Sequence, residues 1–316
     1  DISFEGGVGR TKGQEKALLL RAGIEYAISV YRNDSVSKNF IRLTPYAWLS
    51  ANAFGVARAE GKVWFTQGNP FNGDKGLSAK LSLPAADNSA SWGNLIASVS
   101  LDALQPDYLY QFHYSNHFSW NNTFGQQTIF GSRAMYQRNN VKAGFNYYNL
   151  TNWVYFNQEA KPERNEGSFS VSQAWGQADF TMGRFNFEAF GVWQNVSKSD
   201  VLHLPEIAGR LTGSFSIPVF KRALHLHTGF SVLYNSAFFA DAYMPALRSY
   251  YVQNSVSTGN YPYVDGFINI RVKRARMYLL LKHLNQGFSG YEYIMVPGYP
   301  MPDRGLKFGI SWMFYD

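Results

Sequence analysis

The chain has 316 residues, a formal charge of +7, no Cys and 17% aromatic residues, divided into Tyr 21, Phe 25 and Trp 8. No apolar run reaches the roughly eighteen residues of a membrane-spanning helix; the best, Ala17–Leu20, breaks at Arg21. Basic residues are scattered singly through alternating runs and turns, without a dense cluster or a recognisable motif, which argues against a nucleic acid as partner.

Absence of Cys suits an envelope protein that relies on no disulfides. No charged n-region and apolar h-region opens the chain at Asp1, so any signal peptide has been removed or the sequence starts inside a longer protein. Ile2–Arg10 is Gly-rich and weakly patterned, and Thr11–Lys16 is a polar loop. Ala17–Tyr31 alternates: Leu18, Leu20, Ala22, Ile24, Tyr26, Ile28 and Val30 share one face, while Arg21, Glu25 and Ser29 share the other. A period of two with one apolar face means a strand. Asn33–Lys38 reads as a turn. Phe40–Ala59 reads as one long strand interrupted by Pro45, turning at Glu60–Gly61 into Lys62–Gln67. Asn69–Gly76 is a turn cluster, Leu77–Leu83 a strand, Pro84–Trp92 a loop and Asn94–Leu101 a strand.

Further on, strands are predicted near Tyr108–Trp120, Gln127–Gln137, Val141–Tyr155, Ser168–Met182, Phe185–Gln194, Ile207–Ile217 and Ala223–Asn235. Short turns at Gln105–Asp107, Arg138–Asn140, Gly183–Arg184, Pro218–Arg222 and Lys273–Arg274 take turns with mostly longer loops at Asn121–Gly125, Asn157–Gly167, Asn195–Glu206, Ser236–Tyr261 and Asn285–Arg304. Three last runs close the chain: Val264–Val272, Met277–Lys282 and Leu306–Phe314, the last with Leu306, Phe308, Ile310, Trp312 and Phe314 on one face. Large apolar side chains on one face and a polar, basic other face fit a barrel with its apolar side outward. Aromatics near strand ends, such as Tyr108, Tyr110, Trp120, Tyr147, Tyr148, Trp153, Tyr155 and Tyr315, suit girdles at the bilayer interfaces. A propeller would need a repeat of about forty residues, and none is present. A soluble sandwich would carry edge protection and fewer outward aromatics. The expectation is therefore an all-β chain, residues 1–316 forming a single antiparallel up-and-down transmembrane β-barrel of about sixteen strands (fourteen on a stricter count). An even count sets both termini at the short-turn rim.

The strings Lys282-His-Leu-Asn-Gln-Gly287, Tyr299-Pro-Met-Pro-Asp-Arg304 and Leu306-Lys-Phe-Gly-Ile-Ser-Trp312, preceded by Pro262-Tyr-Val-Asp265 and Lys273-Arg-Ala-Arg276, resemble the close of the putative porin family of Bacteroidetes. The resemblance covers about the last fifty-five residues and implies a Gram-negative outer-membrane barrel with lipid and small hydrophilic solutes as its partners. Members of that family are typically much longer. Barrel precursors end in an amphipathic strand with a terminal aromatic; Phe314–Tyr315 fits, although Asp316 follows.

Parity assigns Arg21, Lys80, Arg133, Lys142, Arg210, Asp265, Arg271, Arg276, Lys282 and Lys307 to the lumen, with Glu25, Asp102, Gln111, His113, His117, Glu188, His225 and His227. The basic excess predicts a weak preference for anionic solutes. Arg138, Arg184, Arg222 and Arg274, at the short turns, are expected to solvate the rim. His225 and His227, two apart, lack the further ligands of a metal site, so neither metal nor cofactor is expected. In the loop Ser236–Tyr261, the residues Phe238, Phe239, Tyr243, Tyr250 and Tyr251 are candidates for a constriction or for contact with an envelope protein partner, with packing on neighbouring loops as the plainer alternative. Tyr291, Tyr293, Tyr299 and the Pro297/Pro300/Pro302 set suggest a rigid cap. No nucleophile elbow, zinc motif or paired-carboxylate motif appears, and no catalysis is expected. The functional expectation is a diffusion channel; the alternative is a barrel subunit of a larger assembly with a plugged lumen.

Overall fold

A computed structural model describes residues 2–8, 18–33, 36–53, 56–84, 92–221, 223–288 and 293–314. Among these residues fifteen strands form one sheet in strict chain order. They are β1 (Ile2–Val8), β2 (Leu18–Asn33), β3 (Val36–Ala53), β4 (Ala57–Phe65), β5 (Lys75–Leu83), β6 (Asn94–Leu104), β7 (Gln127–Arg138) and β8 (Val141–Thr151), then β9 (Ser168–Met182), β10 (Phe185–Val196), β11 (Ile207–Val219), β12 (Leu224–Asn235), β13 (Tyr263–Val272), β14 (Ala275–Lys282) and β15 (Gly305–Trp312). Every pairing in this sheet is antiparallel, from β1 with β2 to β14 with β15. From β7 onward, tight connections at 139–140, at 183–184, between Val219 and Leu224, and at 273–274 mark one rim. Loops at 152–167, 197–206, 236–262 and 283–304 mark the other. Several tight turns use a left-handed residue: Asn139 at φ 50°, Gly183 at 65° and Lys273 at 49°.

The up-and-down architecture is the one expected, with three local corrections. Tyr108–Trp120 is not a strand of the sheet: β6 pairs directly with β7, and 105–126 is a single long loop holding a helical turn, Tyr108–Gln111 (α1), and a small hairpin of Phe112–Tyr114 with Ser119–Asn121. Removing that strand takes the count from sixteen to fifteen. The odd number also moves the start of β1 to the long-loop rim, while β15 ends at the short-turn rim. The third correction is the boundary of β3. The chain turns between Ala53 and Ala57, and Glu60–Gly61 lies inside β4, opposite Ser50 and Leu49. Glu60 is held there by ion pairs to Arg58 and Lys80, at 3.2 and 3.0 Å. Pro45 stays within β3 because the ladder to β4 stops at Tyr46–Trp64 and resumes only as an isolated Leu43–Gln67 bridge, so its missing N–H is not needed there. The expected features at Thr11–Lys16, Arg222, Tyr291, Tyr315 and Asp316 lie outside the described residues.

The two faces of the sheet differ in kind. One presents Leu20, Ile24, Ile28, Leu49, Val63, Leu77, Val99, Phe145, Phe185, Leu211 and Phe230, all exposed, ending in Phe308 at 76% exposure and Ile310 at 69%. In water such a continuous apolar surface would be covered; facing lipid it needs no cover. The buried apolar clusters lie instead at the long-loop rim. One joins Leu150, Phe169 and Val171 to Val201, and the other joins Phe156, Ala160 and Leu247.

On the polar face, bulky rings lie across glycines of the neighbouring strand. A Cβ on Gly144 would sit 2.6 Å from the indole of Trp175, its register partner, and one on Gly23 would sit 2.7 Å from the hydroxyl of Tyr46. Gly144→Val should therefore lower stability by about 1–3 kcal/mol. The shift would appear in the midpoint of urea unfolding of the detergent-folded protein, and Trp175→Ala in the same chain should relieve part of it.

Candidate functional site: the polar face and its loops

Backbone register, which sets side-chain facing strictly, puts the predicted charged residues on one face. One row runs Arg21, Trp48, Lys62, Ser78, Ser100, Gly131, Tyr148 across β2 to β8. The next runs Glu60, Lys80, Ser98, Arg133, Asn146. Lys142 connects through Gln177 and Phe190 to Arg210, and onward through Leu233 to Tyr263, two residues before Asp265. Arg271 faces Arg276, and Lys307 lies opposite Leu280, two residues before Lys282. Glu25, Asp102, Glu188, His225 and His227 belong to the same face, whereas Gln111, His113 and His117 lie in the 105–126 loop and not on a strand.

This face is basic but patterned. Glu60 is ion-paired with both Arg58 and Lys80, Asp265 accepts from Lys282 at 2.5 Å, and Glu25 lies 4.0 Å from Arg42. Arg133 lies over the Tyr148 ring at 5.4 Å and Lys62 over Tyr46 at 5.3 Å, cation–π placements that hold the charges against the wall. Like charges also meet directly: Asp179 opposes Glu188, and Arg271 opposes Arg276. Apolar Phe190, Leu233, Phe267 and Leu280 interrupt the polar lining. His227 packs on Phe267 and approaches the Asn269 amide at 3.4 Å. Among the described residues no group of three or more His, Cys, Asp or Glu is placed to hold a metal.

The long loops fold toward this face. In 105–126 the rings of Tyr108 and Phe112 pack on Tyr31, and Tyr108 also packs on Phe40; Lys38 lies 4.5 Å from the Phe112 centroid. Tyr31, Lys38 and Phe40 all share the parity of Arg21. The loop thus crosses from β6–β7 to the inner rim of β2–β3. Its anchor is Asp74, which accepts from the Gln105 amide at 2.6 Å; burial raises the Asp74 carboxyl above its ordinary range. The period-two pattern of Tyr108–Trp120 arises because its alternate rings pack on one another and on Phe156, with the Trp120 indole donating to the Leu109 carbonyl at 2.8 Å. The signal against a strand was Ser115-Asn116 in mid-run: Ser115 Oγ accepts from the Phe118 amide and closes a turn.

The loop 197–206 covers Leu150, Phe169 and Val171 from the same side, through Val201, Leu202 and Leu204. In 236–262 the five candidate aromatics divide. Tyr251 packs against the Phe156–Leu247 cluster, and Tyr243 packs between Tyr250 and Tyr299. Phe238 and Phe239 form a two-residue ladder with Ser257–Thr258, and Phe239 and Tyr250 remain exposed.

The closing motif folds on itself. His283 is fully buried, its Nδ1–H donating to the Pro302 carbonyl at 2.8 Å, its Nε2 2.7 Å from the Tyr261 hydroxyl, and its backbone amide donating to Asp265. Tyr261, Tyr263 and Tyr293 enclose its ring. Arg304 donates to the Leu284 and Gln286 carbonyls, and the Gln286 side chain reaches Tyr293 and Asp303. Among the described residues of this string, His283, Gln286 and Arg304 are held by hydrogen bonds to the rim, so they shape it.

Burial holds the His113 imidazole below its ordinary value of 6.5. The docked loop keeps it neutral, whereas a released loop binds a proton more readily. This contribution to docking is present above about 6.5 and weakens as pH falls below it. Limited proteolysis within 105–126 should accelerate between about pH 7.5 and about pH 5.5, and His113→Gln should flatten that change.

A family model described as "Putative porin" matches residues 31–316. A search of curated proteins returns no match. Among solved structures, the chain resembles the siderophore receptor PirA from Pseudomonas aeruginosa, with a TM-score of 0.58 at 10% identity, over 89% of this chain and 52% of that one. It resembles a ferric enterobactin receptor, PfeA, with a TM-score of 0.65 at 13% identity, over 98% of this chain and 53% of that one. The copper transporter OprC gives a TM-score of 0.65 at 10% identity, over 95% and 54% respectively. The chain spans about half the length of these structures, and at such identities the likeness is one of fold.

Proposed function

Since the chain belongs to the putative porin family and has the fold of outer-membrane β-barrels, we propose that it acts in the Gram-negative outer membrane as a channel for small hydrophilic solutes with a weak preference for anions. The observation that carries this reading is the division of one sheet into an apolar outward face and a polar, mainly basic one. Arg21, Lys80, Arg133, Lys142, Arg210, Asp265, Arg271, Arg276, Lys282 and Lys307 line the pore in this reading. The bias is weak because Glu25, Glu60, Asp102, Asp179, Glu188 and Asp265 share the same face. Solutes cross by diffusion, and no bond is made or broken. The siderophore receptor and the copper transporter that the chain resembles share its fold, and this chain covers about half of each.

A planar bilayer with a salt gradient tests this. The reversal potential should have the sign of anion preference and move toward zero in the Lys142→Gln, Arg210→Gln double variant. Protein that inserts and passes neither ions nor sugars would overturn the channel. One observation favours a second reading, a plugged barrel docking an envelope protein partner: loops 105–126 and 197–206 fold inward, while Phe239 and Tyr250 of the neighbouring loop stay exposed. In that case a stoichiometric partner survives gel filtration in mild detergent, and Phe239→Ser, Tyr250→Ser loses it.

A further inference from the structure

We infer that the polar face carries a discrete oxyanion subsite between β4 and β7, taking a phosphate or carboxylate group of a passing solute; this rests on the channel reading and deepens it. A cavity of about 360 Å³ opens there, lined by Trp48, Glu60, Lys62, Lys80 and Arg133 over a floor of small residues. The floor consists of Ser78, Ser98 and Ser100, with Gly131 beside them. Register explains its flatness: Ser78, Ser100 and Gly131 are successive members of one row, and Ser98 lies between Lys80 and Arg133 in the next. The floor supplies hydroxyl donors without bulk. A Cβ on Gly131 would already stand 3.0 Å from Ser100 Oγ.

The charges around this floor are unbalanced. Glu60 is the single carboxylate lining the cavity, and it is occupied by Arg58 at 3.2 Å and Lys80 at 3.0 Å. Among the described residues no carboxylate pairs with Lys62 or Arg133; each instead rests over a ring, Tyr46 and Tyr148. Those rings position the cations without satisfying their N–H donors. An oxyanion in the cavity accepts a charge-assisted bond from either cation as its side chain swings off the ring, with serine hydroxyls completing its shell. A neutral solute gains none of this. Glu60 tempers the site: it holds Lys80 in place and opposes the incoming charge, which keeps binding weak enough for release on the far side.

Equilibrium dialysis of the full chain in detergent, with inorganic phosphate and with succinate, tests the assignment, glucose serving as the neutral probe. Saturable uptake of one anion or both, with none for glucose, is expected, and the preferred anion assigns the group. Lys62→Gln and Arg133→Gln should each weaken uptake by about tenfold. Glu60→Gln should strengthen it severalfold, a gain that misfolding would not produce, and Lys161→Gln in the remote 152–167 loop should change nothing. Absence of saturable uptake, or equal losses in the Lys62, Arg133 and Lys161 variants, would overturn the subsite. The channel reading fails separately: anion-selective conductance without uptake removes the subsite alone, and uptake without conductance removes the channel alone.

Discussion

Inside a bilayer the backbone has no water to bond, so each N–H and C=O must find its partner in the neighbouring strand. A sheet that meets this demand presents alternate side chains to two different solvents, and most of this molecule follows from that alternation. Leu20 and Arg21 are one residue apart and belong to different media. A shift of one residue in any pairing would exchange them along the whole strand. Unbroken antiparallel register from β1 to β15 is therefore what gives both faces their meaning.

The same constraint leaves the strands without a conventional core. Apolar side chains on the outward face are covered by lipid, so burial among protein groups is left to the long-loop rim, where the two apolar clusters sit. There water returns, and ordinary packing decides the structure: Phe156, Tyr110 and Trp120 stack across loops, and His283 is enclosed by three tyrosines. The family motif falls in this wet region. Its histidine, glutamine and arginine tie one loop to the ends of β13 and β14, which makes the motif a device of shape, with the basic face and its cavity some distance along the sheet.

Specific residues separate what could be read from what could not. The facing of Arg21, Lys80, Arg133 and Lys307 was legible because parity within a strand is enough to assign it. The cavity at Lys62, Lys80 and Arg133 was not, because it depends on which rows of four different strands lie level, and register between strands is absent from any single run. Tyr108–Trp120 deceived for a related reason. Alternating rings satisfy a strand template equally well when they pack on each other in a loop, and only the Tyr31 and Phe156 contacts show which of the two occurs. Glu60–Gly61 has turn composition, yet two ion pairs hold it straight.

The amino-acid sequence by itself determined the class of the protein, the facing of residues within the strands it identified and, from β7 onward, the alternation of tight turns with elaborated loops, because all three are local consequences of a period of two and of turn chemistry. Tertiary structure alone decided the count of fifteen strands among the described residues, the inward course of the 105–126 loop and the grouping of cations around one cavity. Those depend on contacts between residues far apart in the chain, where loop packing and cross-strand register set distances that no local pattern encodes.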